Sequence, residues 1–296
     1  MKTKTMLIAG GSGFIGRAAT LYFQQKGWNV EWLSRSSSTE TQVKTWHWNP
    51  ASGQMDAAAF DAVDVVLNLA GLSLAHGSWT AERKKAFEDS RLMALNTLSQ
   101  HLPKERDIFL ISASATGYYG STSDASTAVE SALPGSDFLA GLCVKWESAA
   151  KNSAFSRVGI ARIGVVLDAT DGAYPLMVRP IRWGLGAVPG TGRQGLSWIH
   201  IGDVVRGFEW MIEQQLQGVY NFTAPKPVSM RRFMAEAARK YRRILWPISV
   251  PESLLYLVLG EKSLLACQGV YAIPQALLDS GFSFLYPSIG EAIEEF

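Results

Sequence analysis

Near the amino terminus, glycine recurs at three-residue spacing at Gly10, Gly13 and Gly16, with Gly11 beside the first. The run satisfies Gly-x-x-Gly-x-x-Gly, and from Gly11 it also satisfies Gly-x-Gly-x-x-Gly. Such glycines let the backbone turn sharply and bring its N–H groups against a pyrophosphate. They also let the next helix lie close to the preceding strand, with its N-terminus favouring the anion. A second group of residues, Glu31-Trp32-Leu33-Ser34-Arg35, bears on which dinucleotide is bound. An NAD site has an acid at the end of its second strand, bonded to the ribose hydroxyls. Glu31 comes too early for that task, and the strand end is Ser34-Arg35. An arginine there can stack on adenine and pair with a 2′-phosphate. The expected cofactor is NADP.

These groups need elements to hold them. Residues 5–9 read as a buried strand running into the glycine turn. Apolar residues at helical spacing then predict a helix over 14–26, stopped by Gly27. Strands follow at 29–33, 63–69, 108–111 and 159–167, and helices at 81–102 and 138–151. Strands alternating with helices indicate an α/β fold, a Rossmann-type doubly wound parallel sheet covered on both faces. Beyond Asp168 the alternation loosens into a Gly- and Pro-rich run over 184–192. A helix over 203–214 with Asp203 as N-cap, a short strand at 219–222 and a helical remainder from 225 complete the reading. The expected division is a nucleotide-binding domain over 1–167, rejoined by about 196–224. A small, mostly helical substrate-binding part would comprise 168–195 and 225–296.

Composition narrows the class. The chain has 296 residues, 47% hydrophobic and 18% charged, values of an ordinary globular protein. A net charge of +2 supplies no basic field for nucleic acid. Cys143 and Cys267 stand far apart, which argues against a disulfide framework or a cysteine-based zinc site. His47, His76, His101 and His200 show no metal-ligand spacing, so no metal is expected. The first apolar run is too short for a signal-peptide core, and no later one reaches the roughly 20 residues of a membrane span. The expectation is a cytoplasmic protein acting on a small molecule, with neither a membrane nor a nucleic-acid partner.

Three motifs come in a telling order: Gly-Gly-Ser-Gly-Phe-Ile-Gly from Gly10, Asn68-Leu69-Ala70-Gly71, and Ile111 to Gly120, which contains Ser112-Ala113-Ser114 and Gly117-Tyr118-Tyr119. With them go Ser90-Arg91, Trp146-Glu147, Arg162 to Asp168, Ser197-Trp198-Ile199-His200 and Asn221 to Pro225. The chain resembles the short-chain dehydrogenase/reductase superfamily near its extended, sugar-nucleotide-epimerase-like branch. More narrowly it is similar to the subgroup called epimerase family proteins. That resemblance covers essentially the whole chain. It implies cofactor contacts at the glycine turn (Gly10, Gly13, Phe14, Ile15, Gly16), at Ser34 and Arg35, and at Leu69, Ala70 and Gly71. It extends them to Arg91 and Val166, although Arg91 could equally be a surface helix arginine.

Catalysis in the superfamily uses a Ser or Thr, a Tyr and a Lys. The phenol exchanges a proton with the substrate, and the lysine one helical turn later depresses the phenol's pKa. Ser114 matches the serine. Anchoring the helix on Glu147 puts Leu139 at the tyrosine position and Cys143 at the lysine position, and neither can do those jobs. Lys145 points to the opposite side, about 200° around the helix. Tyr118 and Tyr119, in the loop leaving the strand, are the candidate substitute donors, their alternative being an aromatic cleft wall. His200 and Cys143 are weaker candidates. Two readings stand: an NADP-dependent oxidoreductase or epimerase with an atypical proton donor, and a non-catalytic NADP(H)-binding sensor or scaffold.

Overall fold

The computed structural model describes residues 3–36, 43–121 and 127–296. Strand β1 (Thr5–Ala9) is buried at every position, as its apolar sequence requires, and feeds α1 (Phe14–Gln25) through the glycine turn. Gly27 ends the helix at a φ of +79°, which glycine adopts without a Cβ penalty. Then come β2 (Asn29–Ser34), β3 (Lys44–Asn49), β4 (Gln54–Met55) and β5 (Val65–Asn68). Helix α2 (Ala81–His101) leads to β6 (Phe109–Ala115). After β7 (Thr127–Ala128), helix α3 (Phe138–Lys151) packs against α2 and leads to β8 (Arg157–Ile163).

The main sheet has the order β12-β8-β6-β5-β1-β2-β3-β4, where β12 is Gly218–Phe222. All its pairs are parallel except the edge pair β3–β4. The order reverses between β1 and β5, so the crevice beyond their C-terminal ends is where a doubly wound sheet binds its ligand.

Several features depart from the sequence reading. Strand β3 lies where the sequence reading places no strand: its outward positions are polar, and only Trp46 and Trp48 mark its apolar side. The expected strand 159–167 breaks at Gly164 into β8 and β9 (Val165–Leu167). Gly164 still donates to the Phe222 carbonyl (3.0 Å), but Val165 donates to Ser197 (2.7 Å), so the chain leaves the main sheet to pair with β11 (Trp198–His200). A Cβ on Gly164 would collide with the Ser197 carbonyl.

A further departure concerns α5 (Ile201–Glu213), which begins two residues earlier than expected. His200 rather than Asp203 is its N-cap, its Nδ1 accepting the Gly202 N–H at 3.0 Å. Asp203 instead accepts the N–H groups of Leu285 (2.8 Å) and Tyr286 (3.0 Å).

A second apolar cluster unites α4 (Tyr174–Arg182), α6 (Met230–Lys240) and α10 (Ile289–Glu295) around Tyr174, Trp198 and Phe233. This part is less helical than expected. Strand β10 (Gly195–Leu196) pairs with β13 (Val228–Ser229), and β14 (Tyr271–Ala272) pairs with β7. Helices α7 (Glu252–Leu259) and α8 (Leu264–Cys267) lie between β13 and β14 along the chain, and α9 (Gln275–Asp279) follows β14. Leu277 and Phe282 join the core of the main sheet. Among the described residues no helix is long and apolar enough to cross a membrane.

Candidate active site

The glycine turn is built for a close backbone approach. Gly10 sits at a φ of +87°, and a Cβ there would lie 3.0 Å from the Leu69 carbonyl group. A Cβ on Gly16 would strike the Gly10 carbonyl, so that glycine lets α1 rest on the turn. Gly13 is different: it is exposed, and its Cβ would meet only Gly10, at 3.2 Å. Gly13 is also the N-cap of α1, and among the described residues no side chain caps that helix. The first-turn N–H groups, Phe14 and Ile15 included, are thus free of a side-chain acceptor, as an anion site requires. Across the crevice Asn68 accepts the Ala70 N–H at 3.2 Å and shapes the Leu69-Ala70-Gly71 segment. Gly71 lies against the Arg91 guanidinium, and the Phe14 ring lies against Gly172, beside the Val166 carbonyl.

Arg91 is no surface arginine. It is 8% exposed, donates to the carbonyls of Phe87 (2.8 Å) and Leu72 (3.3 Å), and stacks over Trp146 with 4.8 Å to the ring centroid. Its Nε has no partner among the described residues. At the end of β2, Ser34 is half-buried and Arg35 is exposed. Glu31 is turned inward, where it accepts from Asn29 (2.9 Å), Lys44 (3.4 Å) and the Trp46 indole. It is not free to hold a ribose.

Beyond this crevice a cavity of about 240 Å³ opens between the sheet ends and the second cluster. Its walls are mainly apolar, with Leu139, Leu142, Trp146, Val165 and Leu196 prominent, and Arg91, Thr116, Ser121, Asp137, Cys143, Ser197 and Gln268 supply polar atoms. Leu139 and Cys143 therefore face the cavity, as their helical register predicts. Lys145 is exposed and paired with Glu88 at 2.8 Å, away from it. Burial, reinforced by the nearby Glu147 charge, pushes the Cys143 thiol up to about 11, so it stays protonated at neutral pH.

The expected proton donors are placed otherwise. Ser114, Tyr118 and Tyr119 are not among the residues lining the cavity. The Ser114 hydroxyl donates to Glu147 (2.8 Å), which grips Arg162 through two hydrogen bonds of 2.7 and 2.9 Å. The Tyr119 phenol is buried, donating to Asn221 (2.7 Å) and accepting from Arg162 (2.9 Å). Arg162 also lies over the Tyr118 ring, 3.4 Å from its centroid. Two tyrosines and a serine that sequence proposes for chemistry thus enclose a buried ion pair behind the cavity. The sequence shows Glu147 and Arg162 only as separate motif residues, with no signal that they meet. His200 caps α5 and packs on Tyr286 at 4.0 Å between ring centroids. Polar residues not proposed from sequence do line the cavity: Thr116, two residues beyond Ser114, together with Ser121, Asp137, Ser197 and Gln268.

Residues 6–222 match the NAD dependent epimerase/dehydratase family, and residues 250–296 match a domain of unknown function, DUF1731. The chain belongs to the NAD dependent epimerase/dehydratase family. Among its relatives in that family is an epimerase family protein of Mycobacterium bovis, 38% identical, the match covering 99% of this chain and 97% of that one. The epimerase family protein YfhF of Bacillus subtilis is 35% identical, covering 97% and 96%. The crystal structure of the human epimerase family protein SDR39U1 with NADPH matches with a TM-score of 0.87 and 28% identity, covering 98% of both chains. Epimerase family members of this kind bind NAD(P) on a Rossmann-like sheet, which is the architecture seen here.

Proposed function

We propose that this protein binds NADP(H) and is an oxidoreductase acting on a small, largely apolar molecule. The observation that carries the reading is the end of β2, where Glu31 is tied inward and Ser34 and Arg35 stand in the place of the ribose-binding acid. The uncapped first turn of α1, the Gly10–Leu69 approach and the buried Arg91 support a bound dinucleotide, held by Gly10, Gly13, Phe14, Ile15, Gly16, Leu69, Ala70 and Gly71. When bound, NADP(H) supplies a hydride donor or acceptor. The chain's own part is to seat the substrate in the cavity, keep water out with the Leu139 and Trp146 walls, and present the Arg91 cation.

The size of the cavity bears on the substrate. At about 240 Å³ it is below the roughly 300–1,000 Å³ of pockets that enclose drug-sized ligands. A small molecule suits it better than a nucleotide sugar, so we favour an oxidoreductase over an epimerase. One observation favours a second reading, a non-catalytic NADP(H) sensor: Leu139 and a neutral Cys143 occupy the positions where the family's phenol and ammonium work. Incubating the protein with NADPH tritiated at the reactive carbon and a small-molecule extract separates the two. Tritium appearing in an extract compound, absent with a Gly13→Val variant, supports the oxidoreductase. Transfer no greater than that variant's leaves the sensor.

A further inference from the structure

Exposed apolar side chains are unevenly distributed. Of the eighteen large ones among the described residues, eleven fall between residues 176 and 259. Five of them, Trp183, Leu185, Ile244, Trp246 and Ile248, lie in the segments that follow α4 and α6. The segment after α4 runs beside the segment after α6: Trp246 donates its backbone N–H to Gly186 (2.8 Å) and its indole N–H to Gly184 (2.9 Å). This fixes Trp183 (66% exposed), Ile244 (82%) and Trp246 (50%) on one face. Helix α7 continues the apolar surface along the chain, with no buried residue of its own.

The same face is cationic. Arg179 lies over Trp183 (4.7 Å) and Arg182 over Tyr241 (5.5 Å), and Arg242 and Arg243 follow α6 directly. Two shallow depressions sharing Arg243 are lined by these four arginines with Trp183, Tyr241, Ile244 and Trp246, and among the described residues by no carboxylate. Neighbouring Arg239 is paired with Glu236 and Glu294, whereas none of the four makes an ion pair among the described residues. Arg179 and Arg182 complement the negative end of the α4 dipole. Arg242 and Arg243 lie outside any helix, and Arg242 holds a φ of +53° at the C-terminal end of α6, where glycine or asparagine is the usual residue.

We propose that this face docks on an anionic membrane surface, with Trp183, Ile244 and Trp246 entering the headgroup region and the four arginines on lipid phosphates. Lying on a membrane needs no spanning helix. It needs apolar and aromatic tips flanked by unpaired cations. A soluble anion would occupy the arginines and leave the apolar tips in water. A bilayer satisfies both at once, because phosphates border hydrocarbon along one plane.

The test is flotation with vesicles of phosphatidylcholine alone and of two parts phosphatidylcholine to one part phosphatidylglycerol. The unmodified protein should float with the second and not the first. Changing Arg182, Arg242 and Arg243 together to Gln should weaken binding on the order of a hundredfold, about fivefold per charge. Ile244→Glu, at a position with no packing role, should also weaken it, while NADPH affinity stays unchanged in both variants. Absence of flotation with anionic vesicles overturns the proposal. So does flotation indifferent to both variants, or binding to soluble polyglutamate that the arginine variant abolishes while vesicles do not bind.

Discussion

Glu147 and Arg162 form a buried, doubly hydrogen-bonded pair, 2% and 3% exposed, which ties α3 to β8 immediately behind the cavity. The pair holds Ser114, which matches the family's catalytic serine, on one side and Tyr119 on the other, so it stiffens the floor of the cavity. Removing one partner strands the other charge in a site with little water. Arg162→Met should therefore lower the unfolding free energy by about 3–5 kcal/mol, and the double change with Glu147→Leu by less than the sum of the single changes. Denaturant titration of the three variants measures this.

Ser114→Ala removes one donor from Glu147 and leaves the Arg162 bonds in place. The expected loss is about 1 kcal/mol of stability, with NADPH affinity unchanged. Tyr119→Phe should also act on stability, since its phenol serves Arg162 and Asn221. Thermal melting beside cofactor titration distinguishes this structural role from a catalytic one.

Gly13 and Gly16 should respond differently to the same substitution. Gly13→Ala faces open space apart from Gly10, so the fold should survive while NADPH binding weakens. Gly16→Ala drives a methyl group into the Gly10 carbonyl and should lower both stability and binding. Circular dichroism melts and cofactor titrations provide the two readouts.

His200 makes stability depend on pH. Burial lowers its pKa from the ordinary 6.5, so the fold favours the neutral ring that accepts the Gly202 N–H. The unfolded chain takes up the proton first as pH falls. The stabilisation is therefore complete above about pH 6.5 and is lost as pH falls toward the depressed folded value. His200→Asn, which can still cap α5, should reduce this acid-side loss. Unfolding free energies measured across that range check it.

Much of this arrangement is legible from local sequence. Gly10, Gly13 and Gly16 announce the turn because each answers a backbone requirement met within a few residues. The helical register of Leu139 and Cys143 toward the cavity follows from one fixed neighbour, Glu147. What is illegible depends on partners far along the chain. Tyr119 lies in the expected loop, yet its direction is decided by Arg162 and Asn221, on strands that only the sheet order brings beside it. The inward turn of Glu31 depends on Lys44 and Trp46 in β3, a strand whose apolar signal rests on two tryptophans. The exposed arginines beyond α6 look like ordinary solvated charge until the segment after α4 is seen beside them.

The most direct test of the account is calorimetric titration of NADPH and NADH into the unmodified protein and into Arg35→Ala. A charge-assisted phosphate pair contributes about 1.5–3 kcal/mol, so NADPH should bind the unmodified protein roughly ten- to a hundredfold more tightly than NADH. Arg35→Ala should remove most of that preference while leaving NADH affinity nearly unchanged. Equal affinities for the two cofactors in the unmodified protein would contradict the account.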